Sequence, residues 1–169
     1  AMSNNNAVFL TAQQDMDVED PGFKDLYAYG VVAEVKQVLR VSDELVKVLV
    51  EGKYRAKLLT LDSSGRFLLA STKAAALRGT KSVDSARVEA LVRSVKEAFE
   101  EYLSLNPRLS KDVVYTIITN EDAALLCDYI PANLLLKYTD KQALLNEGTV
   151  SGRLEKLLEI LRRETKILH

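Results

Sequence analysis

From Asp25 to Thr72 the apolar positions recur at every second residue. Val31, Ala33, Val35, Leu39 and Val41 fall on one face of an extended chain, with Glu34, Lys36 and Arg40 on the other. This alternation predicts a strand with one buried face. After a turn at Ser42-Asp43-Glu44, the run from Leu45 to Glu51 carries Val46, Val48 and Val50 on one side. Gly52 punctuates that run, and a further strand is expected from Tyr54 to Leu61. Asp62-Ser63-Ser64-Gly65 reads as a turn ahead of a strand over Phe67-Leu68-Leu69-Ala70. A shorter strand is expected upstream, from Val8 to Gln13. Connections this short join antiparallel neighbours, so the pattern predicts a meander curling toward a small barrel or half-barrel.

From Val83 the period changes from 2 to 3.6. Val88, Leu91, Val92, Val95, Ala98, Phe99, Tyr102 and Leu103 form a wide apolar stripe on a helix ended by Asn106-Pro107. A second helix is expected from Asp112 to about Thr119, with Ser110 as its cap. A third is expected from Glu121 to Tyr129, stopping before Pro131 because a residue preceding proline disfavours the helical region. A fourth opens at Thr139 and a fifth near Thr149, whose hydroxyl is placed to cap it. The fifth carries Val150, Leu154, Leu157, Leu158, Leu161, Thr165 and Leu168 on one side, and Arg153 among the charges covering the rest. That stripe suits packing on the other helices or a coiled-coil seam with a second copy. The fold class expected is α+β: a β-rich part over residues 1–74, a link over 75–83 and a helical bundle over 84–169. The link STKAAALRGTKS is expected to be the most mobile interior segment.

Composition narrows the function classes. The 169 residues suffice for one domain or two small ones. There are 23 basic and 24 acidic residues, split 9 and 10 up to residue 75 and 14 and 14 beyond it. Neither half is a basic patch, which argues against a domain whose main work is neutralising phosphate. The acidic loop with Asp15, Asp17, Glu19 and Asp20 lacks the glycine and terminal glutamate of a calcium loop. No stretch approaches the length of a membrane-spanning helix, and the start AMSNNNAV has no signal-peptide order. Cys127 is the only cysteine, which fits a reducing compartment and a small buried side chain.

The strings LYAYGVVAEVKQVLR and LVKVLVEGKYRAK closely resemble the N-terminal, substrate-handling domain of bacterial ATP-dependent Lon proteases. The positions carrying this are Leu26-Tyr27, Gly30, Ala33, Val35, Gln37, Val48-Leu49-Val50-Glu51-Gly52 and Arg55. The helical half adds Glu100-Glu101-Tyr102, Leu134-Leu135-Leu136-Lys137, Lys141-Gln142-Ala143-Leu144-Leu145 and Arg153-Leu154-Glu155-Lys156-Leu157-Leu158. The resemblance covers nearly the whole chain. It implies a PUA-like β subdomain followed by helices, the last of them running on past residue 169. It also implies a start that omits the first strand pairing, so the chain is expected to be cut at both ends and to leave a sheet edge open. The basic link departs from the acidic stretch common in such proteins. A homohexameric parent in the bacterial cytoplasm is implied, with ATP and magnesium used in a middle domain and a serine nucleophile with its lysine in a C-terminal one.

Within these residues no catalytic group stands out. The single histidine, His169, is terminal, which effectively excludes a Ser-His-Asp arrangement. No phosphate-binding glycine loop and no zinc set occur in the sequence, so no cofactor or metal is expected in this part. The informative side chains are Tyr27, Tyr29, Tyr54 and Phe67, which serve either as core and rim aromatics or as a shallow surface gripping unfolded protein. A sheet edge beside an apolar patch recognises the two features that set unfolded chains apart, exposed apolar side chains and unpaired backbone. Two rival roles are open: a purely architectural oligomerisation domain, and a PUA-like nucleic-acid-binding module, the latter disfavoured by the balanced charge.

Overall fold

A computed structural model describes residues 6–43, 45–79 and 85–168. The expectations for Ala1 to Asn5, for Glu44 in the first turn, for Thr80 to Asp84 in and after the link, and for His169 lie outside the described residues. The chain divides into two compact units, Ala1–Ala76 and Leu77–His169.

The first unit is an open antiparallel meander in the order β1-β2-β3-β4. Its strands are β1 (Ala7–Leu10), β2 (Tyr29–Arg40), β3 (Val46–Asp62) and β4 (Leu69–Ala74), with a short 3-10 turn at Phe23–Asp25. Gly30 lies where β1 crosses most closely. A Cβ there would stand 2.2 Å from the Leu10 carbonyl and 2.7 Å from the Phe9 ring, so only glycine fits. Ala33, Val35, Ala56 and Leu58 are the buried apolar residues of this sheet.

Three expectations change here. Gly52 does not end a strand: β3 runs through it, and the interruption is a bulge, since Val32 pairs with Tyr54 while Ala33 pairs with Gly52 and Lys53 is left over. A second bulge leaves Lys36 over between the Val35–Val50 and Gln37–Leu49 pairs. The buried face does not extend to Leu39 and Val41, which are 53% and 54% exposed: the bulge at Lys36 turns them to the side opposite Val35, and β2 and β3 here run on past β1 and β4 as a two-stranded arm. Phe67 lies in the bend joining β3 to β4, outside any strand.

The second unit packs α1 (Ser85–Leu105), α2 (Lys111–Thr119), α3 (Ala123–Asn133), α4 (Tyr138–Asn146) and α5 (Val150–Leu168). Its core centres on Val95, Phe99, Ile117, Leu126, Ile130, Leu154, Leu157 and Leu161. Side-chain caps start α2, α3 and α5. Ser110 Oγ accepts from Val113 N–H, Asp122 Oδ1 accepts from Ala124 and Leu125 N–H, and Thr149 Oγ1 accepts from Gly152 N–H. Residues of the expected link are held: Ala75 N–H donates to the Arg55 carbonyl, and Arg78 exchanges backbone hydrogen bonds with Gly148 and Val150. Gly79 follows with φ of 82°, a left-handed conformation that favours glycine.

Pro131 does not stop α3, which continues to Asn133. Ile130 and Pro131 are both buried, and Asn133 Nδ2 donates to the Tyr129 carbonyl near the helix end, so burial outweighs the local penalty of a late proline. Arg153 does not join the charged surface of α5. It is 3% exposed, donating through Nε to the Glu147 carbonyl and through Nη1 to Asp128 Oδ1 at 2.7 Å. Ile160 joins the buried stripe, whereas Leu168 is exposed.

Candidate functional site

The arm is the most apolar exposed feature of the sheet. Cross-strand partners share a face, so Val38 with Val48 and Arg40 with Val46 lie on one side. Gln37 with Leu49 and Leu39 with Lys47 lie on the other, and Val41 closes onto Leu45 through its N–H at 2.9 Å. Val38, Val46 and Val48 are 37–50% exposed on the first face, and Leu39, Val41, Leu45 and Leu49 are 51–60% exposed on the second. The sheet's other hairpin adds Phe67, Leu68 and Leu69, at 64%, 53% and 55%.

The arm's base is fixed by charge. Glu34 and Glu51 are direct cross-strand partners, a pairing that repels by itself. The two bulged lysines resolve it: Lys36 Nζ and Lys53 Nζ each lie 2.9 Å from both Glu34 Oε2 and Glu51 Oε2. Hydrogen bonds from Lys36 and then Lys53 hold the Glu51 carboxyl down at about 2 and that of Glu34 below the ordinary range. The same carboxylates hold both lysines above theirs. The four groups are partly exposed, so they position the arm more than they stabilise the fold.

The four aromatic residues singled out by the sequence do not form one cluster. Tyr29 pairs with Lys57, and Val32 pairs with Tyr54, so Tyr29 and Tyr54 point to opposite faces of the ladder. The Arg55 guanidinium sits 4.0 Å from the centre of the Tyr29 ring and donates to the Ala75 carbonyl. Tyr27 is half-buried, its backbone N–H donating to the Ala12 carbonyl and its own carbonyl accepting from Thr11 Oγ1. Tyr54 is 51% and Phe67 64% exposed. The sequence carries a signal for the arm. LVKVLV places leucines on the face opposite the valines, and a strand with one buried face does not need both.

In the helical unit a shallow groove of about 430 Å³ runs beside α1, lined by Val88, Val92, Lys96 and Glu121 among others. Lys96 crosses it to the Ile118 carbonyl and Glu121 Oε1. Cys127 is buried, and burial pushes its thiol up to about 12, far from a reactive thiolate. Among the described residues no three His, Cys, Asp or Glu side chains gather as metal ligands, and no helix is long and apolar enough to cross a membrane.

A family model described as the ATP-dependent protease La (LON) substrate-binding domain matches residues 1–163. The chain is 36% identical over 168 residues to a Lon protease of Escherichia coli strain K12, covering 99% of this chain and 21% of that protein. It is 38% identical over 165 residues to Lon protease 3 of Sorangium cellulosum, covering 97% of this chain and 20% of that one. It thus spans about a fifth of the length of these curated relatives. Among solved structures, the N-terminal domain of a Mycobacterium avium complex Lon protease matches with a TM-score of 0.66 at 18% identity, over 92% of this chain and 90% of that one. A Lon N-terminal domain protein from Xanthomonas campestris matches with a TM-score of 0.54 at 16% identity, over 90% and 75%. Both likenesses concern the fold.

Proposed function

The chain belongs to the LON substrate-binding domain family, and from that premise we propose that it captures unfolded or damaged protein segments on the apolar arm of its sheet. The observation carrying this reading is the arm between residues 37 and 49, where apolar side chains stand exposed on both faces. Folded proteins bury such side chains, so an apolar surface binds what a folded protein hides. Tyr54 on the sheet and Phe67 in the hairpin at the other end of β3 offer separate exposed contacts, with Tyr27 and Tyr29, the latter under the Arg55 guanidinium, toward that same end.

In this reading the parent is an ATP-dependent serine protease of the Lon type in the bacterial cytoplasm, assembled as a homohexamer. ATP and magnesium drive unfolding and the serine centre cuts, both in other regions of that protein. The present chain binds and delivers.

The test is size-exclusion chromatography with light scattering, using the chain and a labelled, permanently unfolded casein. Co-migration that is lost in a Leu39→Glu/Leu49→Glu variant with unchanged circular dichroism supports the reading. Capture undiminished in that folded variant contradicts it. Charging Phe67 by Phe67→Asp is expected to weaken capture less, since it removes one contact of several.

A further inference from the structure

The recognition role just proposed leaves open how an occupant is held, and the backbone of the arm bears on it. In an antiparallel pair, successive residues turn their N–H and C=O alternately toward and away from the partner strand. The Val41 N–H donates to the Leu45 carbonyl, so Leu45 faces β2. Lys47 and Leu49 follow in the same sense, and Val46, Val48 and Val50 therefore turn their backbone groups away from β2. β4 joins β3 only from Ala56, after the single bond from Ala75 N–H to the Arg55 carbonyl. Along Val46, Val48 and Val50 no strand lies on that side among the described residues.

Such an edge is usually blunted by a proline, a bulge or a row of charges. This one has none of these between residues 46 and 50 except Lys47, and the bulge at Lys53 comes only where the free run ends. We propose that the outer edge of β3 takes up an extended, uncharged, apolar segment of an unfolded polypeptide as an added strand. Recognition then rests on backbone hydrogen bonds to Val46, Val48 and Val50, with side chains supplying the rest. The occupant's chemistry follows from its neighbours. Side chains of an added strand alternate between the face of Val46 and Val48 and the face of Leu45 and Leu49, so an apolar residue is favoured on both. Charge is not called for at the arm's base, where Glu34, Lys36, Glu51 and Lys53 satisfy one another, and Arg40 and Lys47 on the arm disfavour a cationic residue beside them. A segment of this kind is the interior strand of a folded protein, which becomes available only on unfolding.

The test uses short, dye-labelled, capped peptides of alternating valine and threonine with a terminal lysine at each end, followed by fluorescence anisotropy with the intact chain. Two further peptides carry backbone N-methyl groups, one at every second residue and one at every residue. Strand addition predicts that methylation at every residue weakens binding by about tenfold or more while methylation at every second residue is tolerated, since a strand methylated along one edge still presents the N–H groups of its other edge to β3. A Val48→Pro variant, which removes an outward N–H and no bond to β2, is expected to lose peptide to a similar degree while keeping its circular dichroism. Equal binding of all three peptides would overturn strand addition and leave side-chain capture on the arm intact. Capture of casein without capture of any peptide would also overturn it. A dimer abolished by Val48→Pro, with no peptide bound, would assign the edge to a second copy and overturn it as well. Failure to bind either peptide or casein would instead remove the recognition role on which the inference rests.

Discussion

Glu51 shows how single residues set the arm. Its carboxyl is held at about 2, against an ordinary 4.5, by hydrogen bonds from Lys36 and Lys53. A depressed carboxylate contributes order that is complete above its unfolded value and is lost as pH falls through its folded one. The arm is therefore expected to loosen between pH 4.5 and about 2 and to hold into alkaline solution, where both lysines keep their protons. A carbon-detected NMR titration checks this: the Glu51 midpoint should rise toward 4.5 in a Lys36→Gln variant and in high salt. A midpoint unmoved by either would refute the four-charge arrangement. Gly30 makes a steeper demand. Gly30→Ala forces a methyl against the Leu10 carbonyl and should destabilise the sheet by about 1–3 kcal/mol in denaturant melts. In the helical unit, Arg153→Ala strips a buried stem and leaves the Glu147 carbonyl without its side-chain donor, an expected loss of about 1–2 kcal/mol. In that variant the Asp128 carboxylate, 74% exposed, simply returns to water, whereas Asp128→Ala leaves the Arg153 guanidinium, 4% exposed, without its charged partner and should cost a comparable amount. No loss from either variant would contradict the assignment of Arg153 to the core.

At the scale of elements, how far the sequence could be read depended on whether local pattern or tertiary context decided each boundary. Alternation marked the strands, and the 3.6-residue stripe marked α1, since both follow from one buried face. Ser110 and Thr149 were readable as caps because capping chemistry is local. Gly52 misled because a bulge and a strand end share a glycine signal, and only the partner strand distinguishes them. Pro131 departs from the local expectation because a helix tolerates a late proline when it and the residue before it are buried, which no local rule reports. Arg153 was read as surface from its charge, although its partner Asp128 lies 25 positions away. The candidate site was half legible. Tyr54 and Phe67 stand exposed, but the arm that outweighs them in apolar surface was taken for a buried face. Alternation reveals neither a bulge such as that at Lys36, which turns Leu39 and Val41 away from the face of Val35, nor how far the neighbouring strands reach, and here β1 and β4 end before the arm begins.

Across the whole molecule, apolar burial is unevenly divided. Ala33, Val35, Ala56 and Leu58 are the buried apolar residues of the sheet, while the helical unit buries Phe99, Tyr102 and a set of leucines and isoleucines. Stability scales with the apolar area removed from water, so the sheet should open before the helices. Hydrogen exchange is expected to be slowest in α1 and α5 and fastest along residues 37–50. Cys127 offers a second readout: buried and held protonated, it should react with a thiol reagent only as the helical unit opens. Slower exchange in the sheet than in α1 would contradict this ordering. Low local stability along the arm suits the capture role proposed for it. The most direct test of that account is amide chemical-shift mapping of the isotope-labelled chain as unfolded casein is added. Shifts concentrated at residues 37–50 and around Phe67, with α1 to α5 unchanged, are the result expected. Shifts concentrated on the helices, with the arm unmoved, would show that substrate is captured elsewhere and that the arm is not the recognition surface.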